Sequence, residues 1–243
     1  MTLIVGLVCT NGIVMGAESA SIDPLSQTKL TVNKIQRVGQ YSILFAGSGS
    51  GGFIQQVTED LNDLKLSRSA KFRTIRQNIQ KACLPALEAS KNRIYLSGYG
   101  DGTMRTGLLF GCIHHNKPFL LEIAANGEDM VYDDNYGNFW AIGHGATLAQ
   151  AFMRTHLNTV RDLYKGKILA YRILEDSIRV SDMGLAKPIH LHTINLDGSV
   201  NKSGEEELKE LGWFCEGWRE YERGTLDYLL GISNPQDSET PPF

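Results

Sequence analysis

Four positions near the start of the chain, Thr2, Glu18, Lys34 and Gly47, could do nucleophilic chemistry together. Thr2 follows a methionine that a processing aminopeptidase can remove, because the second side chain is small. A threonine hydroxyl is a poor nucleophile until a base takes its proton. A free α-amine titrates near ~7.7–8.0, against ~10.4 for a lysine, so the amine of residue 2 is the better-poised base. Lys34, if it lies beside them, favours the alkoxide and disfavours protonation of the amine. Glu18 lies close enough in sequence to pair with Lys34 next to the first strand, and it would limit the penalty of burying an ammonium. While Met1 remains, the nitrogen of Thr2 is an amide and cannot act as a base. Removal of Met1 is therefore the expected activating step. By itself a threonine at position 2 is unexceptional, and only its company gives it interest.

The glycine run Gly47-Ser48-Gly49-Ser50-Gly51-Gly52 fits G-x-G-x-x-G between a strand and a helix, the pattern of dinucleotide-binding turns. That use needs a second strand about 20 residues on, and the following ~40 residues read as two helices instead. Backbone N–H groups of a glycine turn at a helix start can equally hold a developing oxyanion. Gly47 is expected to end the fourth strand of the same sheet as Thr2. Cys9, Cys83, Cys112 and Cys215 are scattered singly, without a CxxC pair, and read as reduced structural thiols. His190 and His192 share one face of a strand, yet two ligands do not make a metal site, so no metal is expected. His114 and His115 read as a solvated hairpin turn.

These residues must be positioned by a scaffold of strands and helices in blocks. Thr2–Cys9 and Ile13–Ser19 read as a hairpin about an Asn-Gly turn. Both faces of the first strand are apolar, which predicts cover on both sides, an unusual start for a chain. Strands are expected at Lys29–Val38 and Tyr41–Ala46, then helices at Phe53–Leu66 and Phe72–Ser90, with Pro85 kinking or interrupting the second. Strands follow at Gly107–His114, Pro118–Ala124, Met130–Asp133 and Phe139–Ile142. Helices at Ala146–Tyr164 and Ile168–Val180 precede a last pair, Ile189–Asn195 and Ser199–Lys202. Beyond lies a polar region that the pattern does not resolve, with a flexible tail at 234–243. Segregated blocks of this kind predict an α+β fold, two antiparallel sheets face to face with helices outside. No repeat or linker divides the chain, so residues 1–243 are expected to form a single domain.

Thr2-x3-Gly6, Gly12–Ser19, Asn33-Lys34-Ile35 and Phe45-Ala46-Gly47 resemble, in register, the N-terminal block of proteasome β-subunits and their simpler bacterial homologues. Gly143-His144-Gly145 matches a second block of that family. The resemblance implies the four-layer αββα sandwich of N-terminal nucleophile hydrolases and a threonine peptidase that needs no cofactor. It implies Thr2 as nucleophile, Lys34 beside its hydroxyl with Glu18 orienting it, and Gly47 N–H as oxyanion donor. Asp182, or Ser181 where the alignment slips by one, would hold the amine. His144 stands where the family has a serine, and the second serine after the aspartate has no counterpart here. Phe45, Ser21, Val32 and Gly49 match positions lining the pocket for the side chain before the cut, which suggests small or apolar preferences. The partners implied are a polypeptide substrate and copies of the chain in a homo-oligomeric ring; whether an ATPase unfoldase feeds it is left open.

The bulk numbers are compatible with this. The chain has 243 residues, 42% hydrophobic, and a net charge of −3 without a basic face for nucleic acid. No apolar run approaches the ~18 residues of a membrane span, and no cationic, apolar leader opens the chain, so a cytoplasmic location is expected. Two alternatives stay open: a noncatalytic ring subunit, which could retain Met1, and an amidase of the same fold acting on a small molecule.

Overall fold

The computed structural model describes residues 2–22, 29–67, 70–96, 106–156, 162–180 and 184–230. Strands β1 (Leu3–Cys9), β2 (Gly12–Glu18), β3 (Ala20–Ile22), β4 (Lys29–Thr31), β5 (Ile35–Arg37) and β6 (Ile43–Ser48) come first. Helices α1 (Gly51–Asn62) and α2 (Phe72–Leu96) follow, then β7 (Gly107–His114), β8 (Lys117–Ala124), β9 (Asp129–Tyr132) and β10 (Phe139–Gly143). The chain continues through α3 (Ala146–His156), α4 (Leu163–Val180), β11 (Ile189–Asn195), β12 (Val200–Lys202) and α5 (Glu205–Leu229).

Two five-stranded antiparallel sheets result, ordered β10-β1-β2-β11-β12 and β5-β6-β7-β8-β9, with β3 and β4 forming a separate ribbon. Period-two alternation explains how they stack. Along β1, Ile4 and Val8 join Leu44, Ala46, Leu109 and Leu120 in a layer between the sheets. Leu3, Val5 and Leu7 point the other way, into a layer shared with α3, α4 and α5. The second sheet does likewise, sending Phe45, Phe110 and Leu121 against α1 and α2. Every residue of β1 and β2 is buried, because helices cover one face and a sheet the other. The molecule is an α+β sandwich of four layers.

Several elements differ from the sequence reading. Helix α1 closes at Asn62 rather than Leu66. Helix α2 runs unbroken through Pro85 to Leu96, its buried Ile79, Cys83, Ala86 and Leu87 holding the turn against the sheet despite the missing N–H. The helix begun at Ala146 is described to His156, and Leu163 and Tyr164 belong to the next helix, which starts five residues before Ile168. Lys29–Val38 is two strands in different sheets: the side chain of Asn33 accepts the N–H of Ile35 at 3.1 Å, a local turn that ends one pairing before the next begins. The unresolved polar region holds α5, a helix of 25 residues with Leu211 and Cys215 buried against α4. The proposed tail at 234–243 lies outside the described residues.

Candidate active site at the start of the chain

Thr2 precedes β1, which lies between β10 and β2, so the chain start is held on both sides. It is buried, with 8% of its surface exposed. The Gly145 N–H donates to the Thr2 carbonyl at 3.3 Å, and Gly143 pairs with Leu3. Gly143 has φ +96°, and a Cβ there would overlap the Thr2 carbonyl oxygen, so the turn fits against Thr2 because residue 143 has no side chain. His144 sits between these two glycines.

Glu18, at the end of β2, is wholly buried. Its Oε1 accepts the Leu3 N–H at 3.3 Å and pairs with the Lys34 ammonium, whose side chain is only 8% exposed. Its Oε2 accepts the Ala20 N–H at 2.7 Å and the Ala186 N–H at 3.4 Å. One carboxylate therefore ties together β1, β3, the turn before β5 and the segment before β11. Burial pushes the Lys34 ammonium below the ordinary lysine range, and the Glu18 charge and hydrogen bond work against that shift without cancelling it. Lys34 is not on a strand as expected: the Asn33 turn places it in the connection between β4 and β5, which lets it reach across to Glu18.

Gly47 also departs from expectation. It lies within β6, in the opposite sheet from Thr2, rather than ending a strand of the same one. Its neighbour Ala46 nevertheless enters the inter-sheet layer with Ile4. Phe45 is buried on the helix side, its ring 5.8 Å from that of Phe110. Gly49 opens the turn into α1, where Ser50 accepts the Phe53 N–H at 3.3 Å. Val32 donates its N–H to the Ser19 carbonyl at 2.9 Å, and Ser21 lies in the β3–β4 ribbon. Asp182 and Ser181 lie outside the described residues.

Sequence reasoning missed Ser19 and the segment 184–188. Ser19 is fully buried; its N–H donates to the Ala186 carbonyl at 3.1 Å and its hydroxyl to the Pro188 carbonyl. Both contacts span more than 160 residues, so no local pattern could signal them. The four cysteines are buried and unpaired. Among the described residues no three potential metal ligands cluster, and no helix is long and apolar enough to cross a membrane.

A family model described as proteasome subunit matches residues 2–188. The chain belongs to the proteasome subunit family. Solved structures similar in fold include Anbu, described as an ancestral β-subunit, from Yersinia bercovieri, with 13% identity, a TM-score of 0.72, and 96% of this chain and 98% of that one covered. A Gly-1 mutant of Anbu from Hyphomicrobium sp. strain MC1 has 17% identity and a TM-score of 0.71, covering 94% and 99% of the two chains. The helical assembly of the Anbu complex from Pseudomonas aeruginosa has 15% identity and a TM-score of 0.71, covering 98% and 100%. At these identities the likeness is one of fold. No curated protein is similar enough to match. The proteasome-type fold thus extends along nearly the whole chain, whereas the family model stops at residue 188, before α5 begins.

Proposed function

We propose that this proteasome-family protein is an endopeptidase whose nucleophile is the hydroxyl of Thr2, exposed as the N-terminal residue once Met1 is removed. The supporting observation is the shared Glu18 oxygen, which accepts both the N–H next to Thr2 and the Lys34 ammonium inside a buried site. A buried ion pair contributes little net stability, so its presence beside a candidate nucleophile favours a chemical role.

In this reading the α-amine of Thr2 takes the hydroxyl proton as the oxygen attacks the peptide carbonyl. The Gly47 N–H donates to the tetrahedral oxyanion, and the amine returns the proton to the leaving nitrogen. Water then releases the acyl group from Thr2 by the reverse proton path. Lys34 stabilises the alkoxide and holds the amine unprotonated, and Glu18 fixes the ammonium. His144 and Asp182 support the amine, while Phe45, Ser21, Val32 and Gly49 shape the pocket for a small or apolar side chain. The substrate is a polypeptide, and the working form is a homo-oligomer, in keeping with the structural neighbour solved as a helical assembly.

The test is capture of the protein by a peptide epoxyketone, with peptide mass mapping and measurement of the N-terminal mass. The adduct should sit on residue 2 of a chain beginning at Thr2, and Thr2→Ala should abolish both the adduct and peptide hydrolysis without changing the folded state. Native protein that retains Met1, or an adduct on a cysteine, would overturn the assignment.

A further inference from the structure

Helix α5 lies beyond the stretch matched by the family model, yet ion pairs join it to α4, which in turn holds Lys187 in the segment that backs Glu18. Arg219 of α5 bonds Glu175 through NH2 and Asp176 through Nε at 2.9 Å, both carboxylates being on α4. The other oxygen of Glu175 accepts from Lys187 Nζ at 2.7 Å. Asp176 is also held by Arg172 at 2.5 Å, and Arg172 reaches Glu222 of α5 at 2.7 Å while its guanidinium lies 4.7 Å from the Trp218 ring. Burial pushes the Glu175 carboxyl up, but its bonds to Lys187 and Arg219 outweigh this and hold it below the usual range.

Lys187 belongs to the short segment that touches the site twice. Ala186, its neighbour, donates to Glu18 and accepts from Ser19. Leu185, two residues before, packs against Gly145, whose own N–H donates to Thr2. We infer that α5 is a positioning element for the site: through Arg219, Glu175 and Lys187 it clamps residues 184–188 so that Ala186 holds Glu18, and Leu185 the 143–145 turn, in place against Thr2. Lys187, Glu175 and Arg219 are positioning residues that touch no reacting atom. The inference rests on the reading of Thr2 and Glu18 given above, but the clamp itself can be observed without catalysis.

The experiment compares the full-length protein with Lys187→Met, Lys187→Arg and Arg219→Met. None should unfold. Lys187 is 58% exposed, so its ion pair adds little to global stability, and in Arg219→Met each carboxylate keeps one cation, Lys187 or Arg172. Amide hydrogen exchange is read on peptides carrying Ala186 and Ser19, together with Tm and, on a peptide substrate, kcat and KM. In Lys187→Met those two amides should exchange about threefold to tenfold faster, and in Arg219→Met faster by a smaller factor, while β1 and the core of α4 keep their protection. kcat should fall about tenfold with KM little changed, because the loss concerns alignment rather than binding. Lys187→Arg, which keeps a cation at that place, should restore both readouts.

Wild-type exchange at Ala186 and Ser19 in both methionine variants would overturn the clamp whatever the activity does. A fall in kcat with no change in exchange would also overturn it. If the wild-type protein gives no epoxyketone adduct on Thr2, the peptidase reading fails separately, and exchange alone then decides whether α5 holds this segment. Coupling of this kind is established only by such a shift at the distant end, not by the line of contacts itself.

Discussion

The Glu18–Lys34 pair offers the sharpest energetic test, because removing both partners should harm the protein less than the two single losses added together. Glu18 has no exposed surface and Lys34 almost none. Breaking a buried pair from one side leaves an uncompensated charge and typically costs about 3–5 kcal/mol. For Lys34→Met the figure should fall at the low end, near ~3 kcal/mol, since three backbone N–H groups still solvate the carboxylate. Glu18→Gln should cost about 4–5 kcal/mol, because it strands the ammonium and also turns an amide NH2 toward N–H donors, whichever way the amide lies. The double variant carries no unpaired charge, only the misdirected amide, and should lie about 2–3 kcal/mol above the additive expectation. Equilibrium urea unfolding at one fixed protein concentration measures all four species, the concentration being held because assembly contributes to apparent stability. Additivity within about 0.5 kcal/mol, or single losses under about 1 kcal/mol, would mean that the pair is solvated and would remove the physical basis for a lowered Lys34 pKa.

Replacing Gly143 by alanine puts a side chain at φ +96° and against the Thr2 carbonyl, so a loss of about 1–3 kcal/mol is expected, read as a lower Tm, with epoxyketone capture slowed in step. Burial pushes the thiols of Cys9, Cys83 and Cys215 up to about 12 and that of Cys112 further, so native protein at pH 8 should be inert to a disulfide-exchange reagent, whereas all four thiols should react in denaturant. Rapid reaction of any one before unfolding would contradict the packing. Burial, Lys202 and then His190 lower the His192 pKa to about 4, so the unfolded chain binds more protons than the folded one between roughly pH 6.5 and 4. Stability should therefore fall as pH drops through that window, by up to ~3 kcal/mol attributable to this group, and His192→Gln should flatten the slope in a comparison of urea midpoints.

How far the sequence carried depends on how local each cause is. The doubly apolar β1 was legible because its burial on both faces leaves no polar alternation, and β7 and β11 were found to the residue. Glu18 and Lys34 were legible as a pair through short spacing along adjacent elements. What splits Lys29–Val38 into β4 and β5, the Asn33 side-chain turn, was present in the sequence but looked like part of one strand, since a pattern of period two cannot say which sheet a strand enters. For the same reason Gly47 was assigned to the wrong sheet. Pro85 was read by local propensity, and packing of Cys83, Ala86 and Leu87 overrode it. Helix α5 was hidden because its apolar stripe is narrow: Leu208, Leu211, Cys215 and Trp218 are spaced as one helix face, but Gly212 and Gly217 interrupt the signal, and the rest of its docking is ionic. The contacts of Ser19 and Ala186 with residues far away in the chain were beyond any reading by pattern.

The placement of the carboxylate ties these observations together. Glu18 accepts from donors on four separate stretches of chain, and such a group could be replaced by apolar packing at no loss of stability if it served folding alone. What apolar packing could not supply is a fixed cation at the entrance of β1, on the same Glu18 oxygen as the N–H that follows Thr2. A fold that needed only a core would gain nothing from an ammonium there. The proposed threonine chemistry would give it a use, since a proton must then leave a hydroxyl at that spot, and Glu18 would be the group through which the surrounding segments, including the one that α5 is inferred to clamp, set where the cation stands.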